Sequence, residues 1–184
     1  MSNVLIGIIG VILFIGLAIA GALILGDDFR TSKATSEAAA IQQQMAQVAA
    51  AYDMYKLKMG AAPTINFQFA HTAGRQVMTA LIPRFLKTQP VTQRPEGSYN
   101  WFFVDENGGY SPNPTLLMFN LVEASGTADL CDAIAEQAGM SNAAGKAPTL
   151  PKPPLDRQQG CYRFEGGWGF PLGLTGNYHV FRRI

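Results

Sequence analysis

At 184 residues the chain is long enough for one domain with a real core and an additional segment beside it. Its residues are 48% hydrophobic and 15% charged, and the formal net charge is +1. The basic residues are scattered, with no Lys/Arg tract to grip phosphates, which argues against nucleic-acid binding.

Much of the hydrophobicity sits in residues 1–26. Val4 to Gly26 carries no charged residue, and as a helix it would extend roughly 34 Å, enough for the hydrocarbon core of a bilayer. A secretory signal peptide has a basic start and a shorter apolar core. Here Met1, Ser2 and Asn3 bring no Lys or Arg and the apolar run is longer, so the segment reads as a retained transmembrane anchor. Orientation is left open. Arg30 and Lys33 after the span weakly favour a cytoplasmic domain, whereas a cysteine pair late in the chain favours an oxidising compartment. Glycines at 7, 10, 16, 21 and 26 punctuate the run. They read equally as ordinary membrane-helix glycines or as sites of close helix-on-helix approach.

No proline or long loop separates this run from the polar, alanine-rich segment after it. Ala38, Ile41, Met45, Val48, Tyr52 and Tyr55 recur at spacings of three and four, which puts them on one helical face. Residues 27–59 are therefore expected to be an amphipathic continuation of the same helix that packs on a domain. Gly26, Asp27 and Asp28 mark a bend rather than an end, and Gly60 and Pro63 mark the stop.

Residues 60–184 read as a globular head. Residues 73–86 suggest a short helix and 87–97 a proline-marked loop. Residues 98–104 suggest a strand, and 105–109 a turn around Asn107-Gly108. Residues 115–122, apolar on both sides, suggest a central strand. A helix is expected over 127–139, capped by Thr127 or Asp129 and ended by Gly139. Residues 145–160 read as a proline-rich loop, and 161–166 and 177–184 as closing strands. This is an α+β plan: a long N-terminal α-helix, half apolar and half amphipathic, packed on an antiparallel β-sheet head. Cys131 and Cys161 read as one disulfide bounding residues 131–161, with two buried thiols as the alternative. Such a bridge closes a loop of about 30 residues and contributes about 3 to 4 kcal/mol in the chain-entropy model.

No catalytic constellation stands out, and the expectation is a protein that is not an enzyme. No serine lies in a G-x-S-x-G elbow. His71 and His179 are distant from each other and from the cysteines, so no metal site is expected. Asp105, Glu106 and Asn107 begin like a calcium loop, but Gly109 stands where an acid or amide is required. Tyr99, Trp101, Tyr162 and Trp168 could stack sugars, and core packing is the better reading of most of them. The glycines around Trp168 precede no helix and form no phosphate cradle. No cofactor is expected.

The layout resembles the type IV pilin family, especially type IVb pilins and their pseudopilin relatives. The resemblance is carried by "MSNVLIGIIGVILFIGLAIAGALIL" running into "TSEAAAIQQQMAQVAAAYDMYKLKMGAAPT", and by Tyr55, Gly60 and Pro63 at the helix end. The strand, turn and cysteine-bearing helix of "LLMFNLVEASGTADLCDAI", closed by Cys161, complete it. It implies a structural subunit that waits in the inner membrane, is handled by a prepilin peptidase and a pilus assembly platform, and then joins a helical homopolymer at the cell surface. A mature chain starting at Met1 fits type IVb usage, with a true initiator Met1 in a chain that is only pilin-like as the alternative, and the resemblance implies that the head surface serves adhesion, motility, or DNA or phage contact. On this resemblance the assembly residues are Val4, Leu5, Ile8, Val11, Ile12, Ile15, Gly16, Ile19 and Leu23. One departure stands out: Leu5 occupies the place where most such pilins carry a glutamate that pairs with a neighbour's terminal amine. That favours, as alternatives, a minor pilin or pseudopilin of a pilus or secretion machine. A reading of another class is a single-span anchored periplasmic binding domain that never polymerises.

Overall fold

A computed structural model of the chain describes residues 2–63, 77–90, 101–106, 114–166 and 176–184; for residues 2–7, 22–25 and 27 it describes the backbone alone. The first element is one continuous helix, α1, Ser2–Met59. It passes through Gly26, Asp27 and Asp28 without interruption, so the expected bend does not break the helix. Ala, Gln, Met, Glu and Lys dominate its second half and are good helix formers. It ends at Gly60, whose φ of 72° lies in the left-handed region that glycine adopts without penalty, and Gly60 N–H donates to the Lys56 carbonyl at 2.9 Å.

The head is α+β with a mixed five-stranded sheet. Its strands are β1 (Trp101–Val104), β2 (Leu116–Leu121), β3 (Thr149–Leu150), β4 (Gln159–Phe164) and β5 (Tyr178–Arg183). They stand in the order β1-β2-β5-β4-β3. β2 lies in the interior of the sheet, but the centre is β5, paired antiparallel with both β2 and β4. The sheet is not wholly antiparallel, because β3 pairs parallel to β4. This strand falls inside the segment read as loop. It escapes notice because Pro148 and Pro151 confine it to two residues, too few to show a period of two. Asn107 and its turn lie outside the described residues, as do the start of the helix expected over 73–86, His71, Tyr99 and Trp168. Residues 77–81 of that helix are helical.

A second helix, α2 (Thr127–Gln137), follows β2. Its cap differs from expectation. Gly126 is the N-cap residue, at φ 75°, and no side chain bonds the first turn. Thr127 Oγ1 instead donates back to the Val122 carbonyl at 3.1 Å, and Asp129 accepts from Arg30. The far end closes at Gly139 (φ 64°), where Gly139 N–H reaches Glu136 O and Met140 N–H reaches Ala135 O. Those paired bonds form the Schellman closure that a glycine just past a helix end permits.

The strands alternate between two buried layers. On one side, Trp101, Phe103, Leu117, Phe119, Cys161 and Val180 meet α1 and α2. On the other, Phe102, Leu116, Met118, Tyr162, Phe164 and Phe181 form a second layer. Ala38, Ile41, Met45, Val48 and Tyr52 of α1 are buried in the first layer, and Tyr55 is half-buried against it, 5.4 Å from the Phe85 ring. Ala34, Ala49 and Ala51 are buried as well. Met45→Ala is expected to destabilise the head by about 2 to 5 kcal/mol through lost transfer energy and the cavity left behind, as measured by denaturant unfolding.

Candidate assembly surface

The two halves of α1 meet very different surroundings. From Ala34 onward one face is covered by the head. Every residue from Ile8 to Ala20 is exposed, on all sides of the helix. Among them Phe14 is 74% exposed, Leu17 73% and Ile12 63%. A helix that is apolar all round is stable only where something apolar surrounds it. Each large apolar side chain loses about 1.5 to 3 kcal/mol of burial energy if left in water. The bare half-helix is thus an unsatisfied apolar surface, continuous with a half whose face is buried against the head.

Of the residues expected to serve assembly, Ile8, Val11, Ile12, Ile15, Gly16 and Ile19 lie on this bare stretch and are exposed. The side chains of Val4, Leu5 and Leu23 lie outside the described part of the chain. Among the described residues no helix is long and apolar enough to cross a membrane; the run expected to span takes in residues 1–7 and 22–25, whose side chains are not described. A Cβ built at Gly10, Gly16, Gly21 or Gly26 would meet no atom within 4 Å. Packing within this chain therefore does not explain those glycines.

Where the bare half joins the head, Arg30 Nη2 bonds Asp129 Oδ2 at 2.9 Å and so ties α1 to the first turn of α2. Nearby, Lys146 Nζ bonds Asp132 Oδ2 at 2.9 Å, and Asp132 Oδ1 accepts from Ala147 N–H at 2.7 Å. The side-chain hydrogen bond and charge of Asp132 raise the Lys146 pKa above its usual value. A cleft of about 350 Å³ lies between these groups, lined by Arg30, Thr31, Asp129, Asp132, Glu136 and Lys146. Two of its three carboxylates are bonded to its two cations. Because the Arg30 side chain is 69% exposed, Arg30→Ala is expected to change head stability by less than about 1 kcal/mol in a denaturant titration. Spacing could not reveal this tie, since its partners are 99 residues apart.

Cys131 and Cys161 form a disulfide, with Cα atoms 5.3 Å apart, joining α2 to β4 beneath the α1 face. Trp101 and Tyr162 are buried, in opposite layers, and Trp101 lies 5.0 Å from the Phe119 ring. Neither presents a face to a sugar. Among the described residues no group of three or more His, Cys, Asp or Glu could hold a metal ion. Asp105 and Glu106 precede the undescribed turn. Comparison with protein-family models, curated proteins and solved structures returns no match to this chain.

Proposed function

We propose that the chain is a structural subunit of a type IV pilus-like filament, polymerising through the bare half of α1. The observation that carries the reading is the exposure of Ile8 to Ala20 on every side of a helix continuous with the core of the head. The same apolar surface suits two surroundings in turn, the inner membrane before assembly and neighbouring copies of the helix afterwards. Moving between lipid and a helix bundle gains little hydrophobic energy, so close packing supplies the specificity and an assembly platform supplies the work. The open glycines support this, because they leave room for a neighbouring helix to approach. The rigid connection through Ala38, Ile41, Met45, Val48 and Tyr52 sets the head at a fixed position on the helix, and the disulfide staples the head for an oxidising, extracellular setting.

Leu5 favours a second reading, in which the chain is a minor pilin or pseudopilin within a filament built mainly from another protein. The head would then supply contact with a surface, DNA or phage. The experiment that tests the main reading is to place one charge in the bare half-helix and look for filaments, with folding of the head followed separately.

A further inference from the structure

The half of α1 that packs on the head has a second face that the head leaves open. Phe29, Ser36, Ala39, Gln43, Ala50 and Leu57 recur at spacings of three, four and seven, so they share one side of the helix, opposite the buried row of Ala38, Ile41, Met45, Val48 and Tyr52. All six are exposed. The middle of this row is small or polar. Its two ends carry large apolar side chains, Phe29 at 72% exposed and Leu57 at 85%. Neither belongs to a buried layer of the head.

Phe29 and Leu57 are about 28 residues apart on one continuous helix, or about 42 Å. The stretch from Ser2 to Phe29 has about the same length. Two parallel copies of α1 shifted by that length therefore match: the bare half of one runs along the exposed row of the other, and Phe29 comes level with the neighbour's Leu57. Gly10 and Gly21 fall within about one residue of level with Ala39 and Ala50, and these open glycines let the two backbones approach closely. Apolar contact is non-directional, and Ile8 to Ala20 carries no polar side chain to fix a register. The axial position of a neighbour must be set by particular groups outside that stretch. Charge agrees with this shift. Asp28 is exposed beside Phe29 and Lys58 beside Leu57, so the contact is flanked by opposite signs. The other two flanking cations are engaged within the chain: Arg30 bonds Asp129, and Lys56 Nζ lies 5.4 Å from the centre of the Tyr52 ring.

We propose that neighbouring copies pack in parallel at a shift of about 28 residues, with Phe29 of one seated on Leu57 of the next and Asp28 paired with Lys58. The inference rests on the filament reading above and adds a register to it: the occupant of the exposed α1 row is the bare half of a second copy. Because the row lies opposite the buried face, the helices meet at the centre and the heads point outward. The contact is heterologous. Each copy gives Phe29 to one neighbour and Leu57 to another, and such a contact repeats into an open helical polymer.

The test is disulfide trapping in sheared filaments of the full chain, with a mild oxidant. A bridge between Phe29→Cys and Leu57→Cys needs Cα atoms within about 7 Å, and the native cysteines are buried and already joined to each other. The expected result is a ladder of linked copies on a non-reducing gel. No ladder is expected from Phe29→Cys with Gln43→Cys, which lies on the same face but about 21 Å away from level. Filaments without the first ladder, or an equal ladder from both variants, would overturn the register and leave the polymer reading standing. Absence of filaments from the wild type would overturn both. If the cysteine variants do not assemble, the charged pair decides. Asp28→Lys and Lys58→Asp are each expected to lower filament number about tenfold, and the two together to restore about half of it or more. No restoration refutes the contact.

Discussion

Ile12→Asp is expected to abolish filaments while leaving the head folded. Ile12 is 63% exposed in the isolated chain and belongs to neither buried layer of the head, so its replacement removes no packing from either. In a filament core the aspartate would be buried among apolar neighbours. An unpaired buried charge costs several kcal/mol per copy even after relaxation, and a polymer repeats that cost at every subunit. Near the centre of a membrane span an aspartate costs about 2.5 to 3.5 kcal/mol on insertion scales, which a long apolar run tolerates. The check is a pair of assays on one strain: electron microscopy for filaments, and protease resistance of the head in the membrane fraction. Filament loss with a resistant head, and normal filaments from Ile12→Leu, is the expected pattern. Wild-type filament numbers from Ile12→Asp would mean that this stretch is not an assembly surface, as an anchored binding domain would behave.

Removing the disulfide is expected to have the largest effect on the head itself. Cys131→Ala with Cys161→Ala frees a loop whose ends are 30 residues apart, worth about 3 to 4 kcal/mol in the chain-entropy model. Both cysteines are fully buried, between α2 and β4, so lost packing adds to the entropic term. Urea unfolding of wild type, oxidised and reduced, against the double variant measures the difference. A change below about 1 kcal/mol would mean that the α1–α2–β4 layer holds without its staple.

Much of this architecture is legible in the sequence, for reasons visible in particular residues. The buried face of α1 declares itself because Ala38, Ile41, Met45, Val48 and Tyr52 recur at the helical period. The main strands are marked by apolar runs between turn residues, and the end of α2 by Gly139. What is not legible depends on geometry that no local pattern encodes. The two residues of β3 owe their strand state to bonds with β4, such as Arg163 N–H to Pro148 O at 2.9 Å. The cap of α2 falls to Gly126 because the turn there is left-handed, which leaves Thr127 and Asp129 to bond elsewhere. Within the candidate site, the apolar run is plain from composition, whereas the bareness of its whole circumference is a property of the folded chain. His179 reads in sequence as an ordinary strand residue. Its burial beside Asn120 and Tyr162 follows only from the register of three strands.

The central claim is that the bare half of α1 is a polymerisation surface. The most direct measurement is electron microscopy of filaments sheared from cells producing this chain, with mass spectrometry of their principal band. Filaments in which this chain is the main component are the expected result. Cells without such filaments, with the chain held in the inner membrane, would contradict it.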